Sequence, residues 1–289
     1  MSKNEKQMRS LSGMLAARSV MIYVVVGFLA ILSIVPFWYM FMASTWDTFE
    51  IQSGIRMYPG SISQLVKNWN GLNDRSSFSM PLGFANSFII TTSATALTVY
   101  FSALTAYGIK VYDFRGKKIA FGFIVGVMMV PTAVNITGFY RLMHTMNLLG
   151  TKWPLIIPAI AAPSTVFFIK QYLDSSLSME IIEASRIDGA NEFFTFNRIC
   201  LPIMVPALAT QAIFAYISNW NNYFAPAIIL TKSEDKTLPL MVAELYGDRF
   251  ADYGQIFTGL SASVIPLIII YSFLQRFIIQ GVSAGSVKE

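Results

Sequence analysis

The sequence predicts an all-α, polytopic membrane protein with six transmembrane helices, and three observations carry that reading. Hydrophobic residues fill 54% of the 289 positions and charged residues only 13%, against about 25% charged in soluble domains. Residues 76–109, 199–231 and 253–275 contain no Asp, Glu, Lys or Arg, and buried helices of soluble proteins seldom need such runs. Mean hydropathy is +0.53, more apolar surface than one core of a chain this long can hide.

A span needs about 20 mostly apolar residues. Six candidates follow in order: 20–43, 84–108, 119–140, 153–172, 204–230 and 258–280. The first begins after a basic tail carrying Lys3, Lys6, Arg9 and Arg18. It is longer than a signal-peptide core of about 7–15 residues and lacks a small-residue cleavage site after it, so it reads as a retained anchor. Pro131 and Pro158 fall inside apolar runs and read as kinks, which helix bundles tolerate. Gly122 and Gly126 have the spacing of a small-residue packing pair. The expected organisation is an N-tail over 1–19, a first helix with a long outer loop over 20–83, a core over 84–280 and a C-tail over 281–289. His144 falls in an outer loop and reads as solvated.

Six spans put both ends on one side. Lys3, Lys6, Arg9 and Arg18, then Lys110, Arg115, Lys117 and Lys118, then Lys170, Arg186 and Arg198, then Arg276 and Lys288 lie on that side; the opposite side has Arg56, Lys67, Arg75, Arg141, Lys152, Lys232, Lys236 and Arg249. The excess of positive charge places both termini in the cytoplasm. Two polar stretches then face outward, 44–83 and 231–257; they read either as solvated connectors or as contacts for an extracellular partner.

Several chemistries are excluded by composition. One cysteine, Cys200, and one histidine, His144, allow neither an internal disulfide nor a Cys/His zinc site. The chain has no Gly-x4-Gly-Lys-Ser/Thr phosphate loop and no Ser/His/Asp partnership, so an enzyme is not expected. Scattered basic residues argue against a nucleic-acid partner. The alternative is an ion-coupled secondary transporter of a small polar solute. It would call for an ionisable residue at membrane depth, and the six spans have essentially no Asp or Glu in their cores.

One polar island interrupts the apolar pattern, Glu183-Ala184-Ser185-Arg186-Ile187-Asp188-Gly189. Ser178 is placed to cap a helix starting at Met179, with Glu180 in its favourable first turn. Gly189 stands where a left-handed residue would end that helix. Asn191 can cap a second helix through Phe196, which Pro202 is expected to stop. The result is an elbow over 178–202. Ile181, Ile182, Ala184, Ser185 and Ile187 give it a small apolar face, ringed by Glu180, Glu183, Arg186 and Asp188. Such a patch suits docking into a protein groove.

Glu183-Ala184-Ser185, then Gly189 four residues on, then Ile199, Leu201 and Pro202, resembles the EAA coupling motif of binding-protein-dependent ABC importer permeases. Ser185 replaces the usual second alanine and keeps the position small. Arg186-Ile187-Asp188-Gly189-Ala190 is similar to the form common in sugar permeases. Trp220-Asn221-Asn222-Tyr223-Phe224-Ala225-Pro226 and the tail Leu274–Lys288 resemble two further segments of the carbohydrate branch. The resemblance covers most of the chain from about residue 84 and is nearest to the MalG-like, maltose-permease type of subunit with a type I ABC importer permease fold.

The resemblance implies a permease subunit that passes a sugar or oligosaccharide across the bacterial plasma membrane by alternating access. Its partners would be a second, homologous permease subunit in a heterodimer, two ABC ATPase subunits, an extracellular or periplasmic sugar-binding protein and the lipid bilayer. The chain itself would bind no cofactor and no metal; ATP and Mg would sit on the ATPase subunits. The elbow would dock on one of them. Gly189 would permit the turn, Glu183 would make a charge contact, Ala184 and Ser185 would allow close approach, and Asp188, Ile199, Leu201 and Pro202 would complete the motif. Asn219, Trp220, Asn221, Asn222 and Tyr223 in the fifth span and Asn135 in the third supply amide and aromatic groups. Two readings stand for them: sugar contacts along the substrate path, or hydrogen-bonded glue between helices. Tyr246, Gly247 and Asp248 are the candidates for contact with the binding protein.

Overall fold

A computed structural model describes residues 3–247 and 251–286, with side chains placed for 18–131, 135–247 and 251–272. Every regular element among them is helical. The described residues fall into two compact units, one running to Leu72 and including the segment that ends at Ser261, the other running from Asn73 and including Ala262 onward.

In the first unit, α1 (Lys3–Ala43) leads to α2 (Thr48–Ser53) and α3 (Ile62–Asn73). From Val20 to Trp38 the side chains of α1 are exposed and almost all apolar, as expected of a helix meant for lipid or for a neighbouring subunit. Asp47 caps α2 in a capping box with Glu50. The buried Asn68 on α3 donates to the carbonyls of Ser44 at 2.8 Å and Trp46 at 2.9 Å, satisfying carbonyls freed where α1 ends. Trp46 meets Tyr58 edge to face, and the Arg56 guanidinium lies 4.5 Å above the Trp46 ring. The expected outer loop is therefore partly helical and packed.

The second unit is built around α4 (Met80–Val111), 32 residues long. One face of α4 carries Ser87, Thr91, Thr95, Thr98 and Ser102, all buried, at helical spacing; Ala94, Ala103 and Ala106 are buried as well. Small side chains of this kind allow close helix approach in a membrane, where no hydrophobic drive between helices exists. After α5 (Lys117–Met128) and α6 (Thr132–Thr145) come α7 (Trp153–Ile156), a 3₁₀ turn over Ile157–Ile160 and α8 (Pro163–Ser176). Then follow α9 (Met179–Ile187), α10 (Glu192–Phe194), a π-helical turn over Thr195–Cys200 and α11 (Leu201–Asn221). The chain closes with α12 (Phe224–Ile229), a 3₁₀ turn over Ser233–Asp235, α13 (Leu238–Glu244) and α14 (Tyr253–Ser286). Ala103, Ala106, Tyr107, Val166, Ile169, Leu173, Ile182, Phe196 and Met204 form one core shared by α4, α8, α9 and the start of α11.

Among the described residues, five helical stretches are long and apolar enough to cross a membrane: Arg18–Ala43, Met80–Val111, Trp153–Ser176, Glu192–Asn221 and Tyr253–Ser272. The expected third span, 119–140, is divided. Pro131 is extended, with ψ at 127°, so it breaks the segment into α5 and α6 of 12 and 14 residues. Each alone reaches about 20 Å against the roughly 30 Å hydrocarbon core. The break replaces the expected kink because proline lacks an N–H and disfavours helix at the residue before it. Pro158, the other expected kink, sits in the 3₁₀ turn.

Two other boundaries moved. The fifth span ends at Asn221, not 230, and restarts as α12. The stretch after 231 is only partly an open loop: Leu238, Leu240, Met241 and Val242 of α13 are buried, and the Leu238 N–H donates to Ser87 Oγ at 2.9 Å. A methyl group at Gly83 would lie 3.0 Å from Met241 Sδ and 3.2 Å from Leu238 Cα, so α4 and α13 approach closely there.

Candidate functional site

The elbow forms from local signals. Ser178 Oγ accepts the Glu180 N–H at 3.2 Å and starts α9. At the other end the Gly189 N–H donates to the Arg186 carbonyl at 3.1 Å, and the Ala190 N–H to the Ser185 carbonyl at 3.0 Å. This is a Schellman ending, and Gly189 takes the left-handed position it demands, with φ +79°. Asn191 Oδ1 then accepts the Phe194 N–H at 2.8 Å and caps the second helix.

That second helix does not stop at Pro202. It continues without interruption from Glu192 to Asn221, because the chain widens into a π turn over Thr195–Cys200 just before the proline. A π turn shifts the hydrogen-bond register and makes room for a residue that cannot donate. The expected helix–stop is therefore a continuous helix that carries the elbow straight into the membrane-length α11.

The two arms are joined at their small residues. Ser185 and Thr195 are both buried, and their hydroxyl oxygens stand 3.2 Å apart while Ser185 also donates to the Ile182 carbonyl at 2.8 Å. Ser185, Asp188, Gly189 and Ile199 share a surface groove of about 360 Å³ with Ala190, Asn191 and Phe194. Glu183, Ala184 and Pro202 are exposed, and Leu201 is half-buried against the core. Ile187 is 86% and Phe193 73% exposed, and Phe194 and Ile181 are exposed beside them. Large apolar side chains left open next to Glu180, Glu183 and Asp188 make a surface suited to another protein.

Sequence reasoning missed a polar cluster beneath the elbow. Glu192 Oε2 accepts from Tyr112 at 2.6 Å and Tyr107 at 3.0 Å, and its Oε1 accepts from Arg186 Nε at 2.8 Å. Arg186 also lies 5.8 Å from the Tyr112 ring centre. Desolvation first, and then the bond to the Glu192 carboxylate, push the Tyr112 phenol above its ordinary value. The bond to Glu192 holds the Arg186 guanidinium above its own. The two tyrosines at the end of the second apolar run were the available signal, but only packing brings them to Glu192.

The substrate-path candidates separate. Trp220 is 1% exposed, stacks on Tyr216, meets Phe84 edge to face, and its indole N–H donates to the Ser263 carbonyl at 3.3 Å. Asn219 is half-buried, while Asn221, Asn222 and Tyr223 are exposed at the end of α11; Asn222 Oδ1 accepts the Ala225 N–H at 3.2 Å. Asn135 is exposed on α6, away in sequence from that cluster. Tyr246 and Gly247 are exposed after α13, and Asp248 lies outside the described residues. No group of three or more His, Cys, Asp or Glu with metal-binding geometry occurs among the described residues.

Residues 99–284 match the model of the family described as the binding-protein-dependent transport system inner membrane component. The chain belongs to this family. The matched stretch includes the whole elbow, so this family member carries its Schellman turn and groove within the region that defines the family. The chain is similar to the arabinooligosaccharides transport system permease protein AraQ of Bacillus subtilis (strain 168), 35% identical over 205 residues, 71% of this chain and 73% of the relative. It is also similar to the lactose transport system permease protein LacG of Rhizobium radiobacter, 29% identical over 266 residues, 92% of this chain and 95% of the relative. Its fold is similar to a chain in the crystal structure of a bacterial ABC transporter involved in the import of the acidic polysaccharide alginate, with a TM-score of 0.74 and 21% identity, over 96% of this chain and 99% of that one.

Proposed function

We propose that this family member is the permease subunit of an ATP-driven importer of a sugar or oligosaccharide, moved between inward- and outward-open states by separate ATPase subunits. The observation that carries this reading is the exposed elbow. Ile187 and Phe193 stand open to solvent on a turn whose two arms are fastened to each other, and fastening is what a part that transmits force needs. The sugar-transport names of similar permeases support the substrate class.

The reading includes a second permease subunit as heterodimer partner, two ATPase subunits holding ATP and Mg, and an extracellular or periplasmic binding protein. It places both termini and the elbow on the cytoplasmic side of a bacterial plasma membrane, as the distribution of Lys and Arg suggests. Asn221, Asn222 and Tyr223, with Asn219 at their base, are the side chains offered to substrate. Tyr246, Gly247 and Asp248 are offered to the binding protein.

The test is to express the chain with its neighbouring permease, ATPase and binding protein, purify through a tag on this chain, and measure sugar uptake in proteoliposomes. An ATPase should co-purify, and uptake should stop when its phosphate-loop lysine is replaced. Uptake that persists with a dead ATPase, or that follows an ion gradient, would overturn the reading.

A further inference from the structure

Glu192 joins three elements that also meet through apolar packing, the Ser185–Thr195 hydroxyl contact and a longer bond from Tyr100 on α4 to Asn197 at 3.4 Å. It opens α10; its donors are Tyr107 and Tyr112 at the end of α4, and Arg186 in the last turn of α9. We propose that Glu192 is a positioning residue that locks the elbow in one orientation on α4, so that displacement of α9 is delivered to the central helix of the bundle. The proposal rests on the reading of the elbow as the ATPase dock.

Three features distinguish this cluster from ordinary helix packing. Apolar contact is non-directional and fixes separation only, and the elbow already has that from Ile182 and Phe196 in the shared core. Hydrogen bonds to a carboxylate are short, strong and directional, and three of them from two sides fix rotation too. The acids also differ in their surroundings. Among the described residues Glu180, Glu183 and Asp188 make no ion pair, and they stay on the surface offered to a partner. Glu192 alone of the elbow's acids is turned toward the spans, where it also engages the elbow's Arg186. Finally, its partner helix is the one on which the rest of the unit is built: α4 contacts α8 and α11, and Ser87 at its other end holds α13. A motion received at Tyr107 and Tyr112 therefore enters the element that reaches the opposite face.

The experiment uses the complete transporter in proteoliposomes and reads sugars imported per ATP hydrolysed, together with ATPase co-purification. The variants are Tyr107→Phe with Tyr112→Phe, which keeps both rings and removes both phenol donors, and Glu192→Gln, which keeps an acceptor oxygen and removes the charge. The ATPase should co-purify in wild-type amounts with each. Sugars per ATP should fall about tenfold in the double tyrosine variant, about threefold for each of the two hydrogen bonds lost, the low end of a hydrogen bond's net contribution, and by a smaller factor in Glu192→Gln. Tyr112→Phe alone, at the rim of the cluster, serves if the double variant does not assemble, with an expected loss of about threefold on the same basis. A wild-type ratio in assembled tyrosine variants overturns the proposal and leaves the docking reading standing. A wild-type chain that retains no ATPase overturns both.

Discussion

The hydroxyls of Ser185 and Thr195, ten residues apart in sequence, face each other at 3.2 Å in the buried seam between the two arms of the elbow. Both side chains are buried there. Ser185→Leu would put a branched chain where a hydroxyl now meets Thr195, an overpacking change that costs about 1–3 kcal/mol. The variant should show a lowered Tm in detergent and a matching loss of ATPase co-purification. Ser185→Ala deletes one partner of Thr195 but creates no clash, and a loss of about 1 kcal/mol is expected. Equal melting of the Leu and Ala variants would show that the seam is not closed in solution.

Gly189→Asp separates folding from docking. A Cβ at Gly189 would meet no atom of this chain within 4 Å, and Asp is among the residues that tolerate the left-handed conformation. The chain should insert into the membrane at wild-type abundance. The added carboxylate projects where a docked ATPase subunit would lie, so hydrolysis should be uncoupled from uptake. Normal uptake at normal membrane abundance would rule out a docking role for this turn.

Much of the elbow was legible because its signals are local. The caps at Ser178 and Asn191 and the turn at Gly189 depend on side chains within a few residues of the groups they satisfy, and each formed as read. Glu192 was not legible as a hub because Tyr107 lies 85 residues away, and nothing in either segment states that they meet. Pro202 misled for a related reason. Proline forbids one hydrogen bond, and the sequence does not say whether the chain responds by stopping or by widening into a π turn. At Pro131 the same residue type broke the helix.

The amide-rich segment in the fifth span predicts a split between stability and transport. Trp220 is enclosed between Tyr216 and Phe84, so Trp220→Ala should cost about 3–5 kcal/mol and reduce the amount of protein recovered. Tyr223 is exposed and holds no packing role of that kind. Tyr223→Ala should melt within about 0.5 kcal/mol of wild type, as surface changes do, and raise the sugar concentration needed for half-maximal uptake. A Tyr223 variant with unchanged uptake kinetics would remove that side chain from the proposed substrate path.

The last prediction concerns the loop that leads to α13. Asn86 on α4 is buried, and its amide donates to the carbonyls of Glu234 at 2.8 Å and Lys236 at 3.0 Å while its Oδ1 accepts from Lys152 Nζ at 2.6 Å. Lys152 in turn lies 3.4 Å from Asp235 Oδ1. Every polar group of Asn86 is thereby used in holding one turn of chain. Asn86→Leu is close in volume but strands the two carbonyls, each of which loses a bond worth about 1 kcal/mol. Amide exchange over 232–244 should quicken in Asn86→Leu while exchange in α8 stays at its wild-type rate. Lys152→Met removes a partly exposed ion pair worth under about 1 kcal/mol and one donor to Asn86 Oδ1 worth about 1 kcal/mol. It leaves both carbonyls bonded, so it should loosen the turn less than Asn86→Leu. If instead Lys152→Met loosened the turn as much as Asn86→Leu, the charge and not the buried amide would be the fastening.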